Sequence, residues 1–146
     1  MERMFHMMIY RAFHAQRSCL RPHLDEIGLG AGQPKLLAYL AAHGPCSQRE
    51  LADYFEIDPA AVSRMIDSLV KGGFIIRTPS ENNRRCGVVG LMPKGASANR
   101  EWQISCQTLE EQMLDGFTAE EKRQFSDYLS RAYQNLKAVQ KGEGKL

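Results

Sequence analysis

Apolar side chains recur every three to four residues along most of this chain, and two short runs of a different kind interrupt them. Met4, Phe5, Met8, Ile9, Ala12 and Phe13 line one side of a long helix over the first 24 residues, which Pro22 kinks or ends. "GLGAG" reads as a linker, and Pro34 opens a second helix whose stripe is Leu36, Leu37 and Leu40. His43, Gly44 and Pro45 stop it. Ser47 and Glu50 have capping-box spacing, in which each side chain satisfies the other's unpaired backbone N–H. Leu51, Ala52 and Phe55 point inward from the short helix behind them.

A further helix starts almost at once. Asp58 is its N-cap and Pro59 its first residue, and Val62, Met65, Ile66, Leu69 and Val70 fall at i, i+3, i+4, i+7 and i+8. Gly72 and Gly73 end it. The runs "FIIRT" and "CGVVGLM" are strand-like, joined by the polar loop "PSENNRR" into a hairpin. From Pro93 the helical period returns. Trp102, Cys106, Leu109 and Met113 form a coiled-coil-like seam. Thr118 and Glu121 make a second capping box, followed by Phe125, Tyr128, Leu129, Ala132, Tyr133 and Leu136 on one helix face. The tail "KGEGKL" is expected to fray.

Helices, a short helix–turn–helix unit, a hairpin and two closing helices make a mainly α (α+β) fold with a winged helix–turn–helix core. The predicted division is a helix–turn–helix domain over residues 31–95, with residues 1–30 and 96–146 forming a helical region that dimerises. Too many apolar faces lie outside the core for one copy to cover. A two-fold homodimer is the economical partner, with domain-internal core as the alternative use of these faces.

Charge sharpens this picture. Residues 59–100 carry 7 basic and 2 acidic side chains, although the whole chain is only +2. Positive charge gathered on the helix–turn–helix and its hairpin is what phosphate binding needs. On the helix from Pro59 to Lys71, Ala60, Ala61, Ser63, Arg64, Asp67, Ser68 and Lys71 are left facing outward. Short side chains at its N-terminal end allow close approach, the helix dipole favours a phosphate there, and Ser63 and Arg64 suit bases or phosphates. An ordinary solvated helix face is the bland alternative; the adjoining basic hairpin argues against it.

Other chemistry finds little support. Cys19, Cys46, Cys86 and Cys106 are scattered without a CxxC pair, and His6, His14, His23 and His43 lack metal-ligand spacing, so no metal and no cofactor is expected. No nucleophile elbow or glycine-rich phosphate loop is present, and the chain does not read as an enzyme. The longest run without a polar residue, Leu36 to Ala42, is far short of the roughly 20 residues a membrane span needs. The N-terminus is a poor secretion signal, and the expected location is the cytoplasm.

The stretch "CSQRELADYFEIDPAAVSRMIDSLVKGGFIIRTPSENNRRCGVVGLMPKG" resembles the DNA-binding core of the MarR family, the multiple antibiotic resistance regulators. These are dimeric winged-helix transcription factors, often responsive to small phenolic molecules or oxidants. The resemblance implies that Pro59, Ala60, Ala61, Ser63 and Arg64 approach bases in the major groove, with Ser47 and Gln48 also at the DNA. In the wing the triplet Asn83, Arg84 and Arg85 matches the family's Asp-x-Arg. Arg85 would then enter the minor groove and Arg84 would touch phosphate. Asn83 stands where the family has aspartate, and Met92 where it has a threonine. The family's effector pocket maps here onto Tyr10, Arg11, His14, Tyr39 and Trp102, and a small aromatic ligand would sit there. Redox candidates are Cys19 and Cys86; the arginines beside Cys86 favour a thiolate. The function so implied is a sequence-specific regulator of double-stranded DNA, a homodimeric repressor released by a small aromatic ligand or oxidant. The alternative is a winged-helix module for protein–protein assembly.

Overall fold

The elements are α1 (Phe5–Ile27), α2 (Pro34–His43), β1 (Cys46–Ser47), α3 (Gln48–Phe55), α4 (Pro59–Lys71), β2 (Ile75–Thr78), β3 (Val88–Leu91), α5 (Pro93–Met113) and α6 (Ala119–Gln140). They come from a computed structural model that describes residues 4–79 and 87–142. By its internal contacts the chain divides into two units, Met1–Leu109 and Glu110–Leu146.

In the first unit, α1 does not end at Pro22 but runs through it to Ile27. Proline withholds one N–H there. Leu20, which is buried, and Leu24 and Ile27, which pack on the core, nevertheless continue one helix face on both sides of it. Gly28, at φ 86°, closes the helix, and the N–H groups of Gly28 and Leu29 both donate to the Leu24 carbonyl, at 2.9 and 3.0 Å. A side chain at that left-handed position would be strained, so glycine suits it.

The core is built from Leu36, Leu37 and Leu40 of α2, Leu51 and Ala52 of α3, and Val62, Ile66 and Leu69 of α4, closed by Phe74, Ile75 and Val89. Each fully buried aliphatic side chain is worth about 1.5–3 kcal/mol relative to exposure. Burying Val62, Ile66 and Leu69 therefore also decides which face of α4 is left for other work. The sheet is antiparallel with strand order β1-β3-β2. The hairpin register pairs Ile75 with Leu91 and Thr78 with Val88. The two-residue β1 is an addition to the sequence reading. It pairs Cys46 with Val89 and Ser47 with Val88, and so joins the helix–turn–helix to the hairpin.

The first turn of α5 lies directly against the chain entering β2. Gly95 is buried there, and a Cβ on it would stand 2.1 Å from the Phe74 carbonyl oxygen. Only glycine admits that approach.

In the second unit, Thr118 and Glu121 form the capping box the sequence predicts. Glu121 N–H donates to Thr118 Oγ1 at 3.1 Å, and Thr118 N–H donates to Glu121 Oε1 at 2.9 Å. The ring of Phe117 meets Phe125 edge-on, 6.1 Å between centroids. No residue of α6 is buried, and Phe125, Tyr128, Leu129, Tyr133 and Leu136 form an exposed stripe along it.

Candidate nucleic-acid interface

The site begins at Ser47, whose Oγ accepts from Glu50 N–H at 3.1 Å and so starts α3. The reciprocal half of the expected capping box is not made. Glu50 Oε2 instead accepts from the Tyr39 hydroxyl at 2.8 Å, and Ser47 is held in the β1–β3 pairing. The turn out of α3 places Glu56 in the left-handed region at φ 55°, and Ile57 N–H returns to the Ala52 carbonyl at 3.0 Å. Asp58 then leads into α4 through Pro59; its side chain makes no capping hydrogen bond. Proline at the first helical position brings no unpaired N–H of its own and fixes φ for the helix.

The resulting helix is sharply two-faced. Pro59, Ala60, Arg64, Asp67, Ser68 and Lys71 are exposed, while Ala61 and Ser63 are half-buried at its edge. Ser47 and Gln48, also half-buried, begin the preceding helix. Across from α4, the guanidinium of Arg77 on β2 pairs with the carboxylate of Asp67. Both side chains are exposed, so the pair adds little stability. Its effect is electrostatic and geometric. It offsets the charge of the one carboxylate within α4, and it joins that helix to the hairpin strand. Sequence reasoning missed Arg77. The available signal was its charge, set directly behind the two isoleucines that open the strand. Asn83, Arg84, Arg85 and Cys86 lie outside the described residues; the strands that carry their loop close at the Thr78–Val88 pair.

The five residues suggested for an effector do not come together. Trp102 lines a cavity of about 670 Å³, whose other walls include Phe13, Leu20, Arg17, Arg21 and Lys35. Tyr10 and His14 stack on each other along α1, with centroids 5.9 Å apart, and Arg11 is exposed on the same helix; none of the three lines the cavity. Tyr39 sits in an aromatic cluster between α2 and α3, 4.3 Å from His43, 4.7 Å from Tyr54 and 5.9 Å from Phe55. Its hydrogen bond to Glu50 pushes its hydroxyl pKa up to about 12. The cavity's cationic lining, Arg17, Arg21 and Lys35 against Asp25, was not foreseen from the sequence. The signal available was the i,i+4 spacing of the two arginines on the face that carries Phe13 and Leu20.

Of the cysteines, Cys19 is exposed on α1 and Cys106 is half-buried on α5. Cys46 is buried, and burial first, then the Glu50 charge, pushes its thiol up to about 11. Among the described residues, no group of three or more histidines, cysteines or carboxylates could hold a metal ion. Among them too, no helix is long and apolar enough to cross a membrane.

Known proteins match this architecture. The MarR family profile matches residues 29–86, from the α1–α2 linker through the hairpin loop. The multiple antibiotic resistance protein MarR of Salmonella typhimurium is 30% identical over 115 residues, covering 78% of this chain and 80% of that protein. The HTH-type transcriptional regulator BilQ of Clostridium symbiosum is 26% identical over 76% of this chain and 77% of its own length. Among solved structures, a mutant MarR from E. coli complexed with operator DNA superposes with a TM-score of 0.77 at 25% identity, covering 86% of this chain and 91% of that one. The transcriptional regulator SlyA shares the fold, with a TM-score of 0.86 over 97% of this chain and all of its own. A two-faced helix behind a tight turn, an adjoining basic hairpin and this set of relatives have one reading: the chain belongs to the MarR family of winged-helix, DNA-binding transcription regulators.

Proposed function

We propose that the protein is a homodimeric repressor that reads an inverted-repeat operator and is released by a small aromatic anion or by oxidation. The observation that carries the DNA half is the face of α4. Three aliphatic residues bury one side, and the opposite side offers Pro59, Ala60 and Arg64 with Ala61 and Ser63 at its edge. Arg64 is placed for a guanine edge or a phosphate, and the alanine methyls suit a thymine methyl. Arg85 is assigned to the minor groove beside the half-site and Arg84 to a phosphate, with Asn83 beside them; Ser47 and Gln48 contact the backbone.

Dimerisation is supported by two apolar stripes. Phe5, Met8, Ile9 and Phe13 on α1 are more than half exposed, as are Tyr128, Leu129, Tyr133 and Leu136 on α6. Stripes of this kind belong against protein rather than water. The release signal is supported by the cavity. Trp102 and Phe13 offer ring surfaces, and Arg17, Arg21 and Lys35 offer cations to a carboxylate. Cys19 and Cys86 remain the thiols assigned to oxidant sensing.

The test is fluorescence anisotropy with a duplex from upstream of the protein's own gene, competed with scrambled DNA at near-physiological salt. Specific binding should resist the competitor. Arg64→Ala should cost about 1–3 kcal/mol and relax base preference, and Arg84→Ala should lower the salt slope by about one. Binding that scrambled DNA removes equally, with both variants unchanged, overturns the assignment.

A further inference from the structure

The ends of three helices meet at one buried ring. Phe74 follows the glycines that close α4, and its N–H donates to the Leu69 carbonyl at 3.0 Å. A Cβ on Gly72, at the end of α4, would stand 2.9 Å from two carbons of that ring. A Cβ on Gly28, at the end of α1, would stand 4.0 Å from its tip. From the start of α5, Lys94 places its Nζ 4.4 Å from the ring centroid and donates to the Gly72 carbonyl at 2.7 Å. Met92 N–H donates to the Phe74 carbonyl at 3.0 Å, which is the oxygen that only a glycine at position 95 can approach.

This joint fixes direction as well as contact. The Gly72 carbonyl is one of those a helix end leaves without an internal partner. An ammonium there satisfies it, complements the helix dipole and gains from the aromatic face. We infer that Lys94 is a positioning residue for DNA reading: by locking the C-terminal end of α4 to the first turn of α5, it sets the separation of the two recognition helices in the dimer. The inference rests on the dimeric reading above. The leverage is large. The 13 residues of α4 extend about 20 Å at about 1.5 Å per residue, so a tilt of about 5° at the joint moves the reading end by nearly 2 Å.

The experiment uses duplexes selected from a random pool by the wild-type protein, then remade with one base pair inserted or deleted between half-sites. Each change alters half-site separation by about 3.4 Å and rotates it by about 34°. The wild type should lose roughly tenfold in affinity on either duplex, comparable to one mismatched base pair. Lys94→Arg, which keeps donor and charge, should reproduce that profile. Lys94→Met should flatten it to less than about threefold while binding the selected duplex more weakly, with a thermal midpoint within about 4 °C of wild type. If the midpoint falls further, Lys94→Gln carries the same comparison. A spacing profile unchanged in Lys94→Met overturns the inference, and a uniform loss with a reduced salt slope would make Lys94 a phosphate contact instead. A wild type indifferent to spacing overturns the dimeric reading, and the inference with it.

Discussion

Tyr39 and Cys46 come from different elements and share the influence of one carboxylate, Glu50. Burial first and that charge second move the Cys46 thiol from its ordinary 9.0 to about 11, and the hydrogen bond to Glu50 moves Tyr39 from 10.0 to about 12. A folded-state pKa above the unfolded one contributes stability that is whole below the unfolded value and is lost as pH rises through the folded one. For Cys46 that window runs from about pH 9 to about 11. The thermal midpoint should therefore fall across it, and Cys46→Ala should fall less steeply; parallel slopes for the two proteins would contradict this. At pH 8, peptide mapping after alkylation should show exposed Cys19 modified well before Cys46. Neither this cluster nor the Asp67–Arg77 pair was legible in the sequence. Tyr39 and Glu50 stand eleven positions apart and Asp67 and Arg77 ten, on different elements and beyond the reach of any local spacing rule. Gly95 was equally silent, because what demands glycine there is a carbonyl 21 positions away in the chain.

At the scale of elements, the same four-residue pattern gave two outcomes. Thr118-x-x-Glu121 closes in both directions, whereas Glu50 of Ser47-x-x-Glu50 is claimed by Tyr39. The sequence carried both patterns faithfully; tertiary competition decided between them. The Thr118 N–H first and its hydroxyl second lower the Glu121 carboxyl from its ordinary value, so the carboxylate half of the box is whole at neutral pH and is lost as pH falls through that lowered value. Thr118→Ala should cost about 1 kcal/mol at pH 7, or about 3 °C in thermal midpoint for a chain of this size. The difference from wild type should narrow in acid. Calorimetry at pH 7 and pH 3 checks both statements. The long amphipathic segments were legible because many turns repeat one phase. The β1 strand was not: two residues have no period, and Ser47 also begins α3. Pro22 misled in the opposite direction, since Leu20, Leu24 and Ile27 anchor α1 on both sides of it.

For the whole molecule, the excess of apolar surface was already visible in the sequence. The structure leaves it uncovered on α1 and on α6, each described in its own unit. Leu129→Glu with Leu136→Glu places two charges in the α6 stripe without touching any buried residue. On the dimeric reading this pair should give a folded monomer by light scattering. Operator affinity should drop on the order of a hundredfold, because two half-sites are no longer bound at once. A dimer that survives both charges puts the interface elsewhere. The Trp102 cavity was legible only through that residue, because its remaining walls come from α1 residues mostly further along the helix than Tyr10 and His14, and from the α1–α2 linker and the start of α2.

Trp102 is also the chain's one tryptophan. Because it stands in the cavity wall, the indole emission of the unlabelled protein is a single-site optical signal. Titrating an aryl carboxylate against that emission reads the filling of the cavity with no nucleic acid present. Occupancy of the cavity and departure from DNA thereby become two separate observables, and the order in which they occur becomes a kinetic question rather than an assumption.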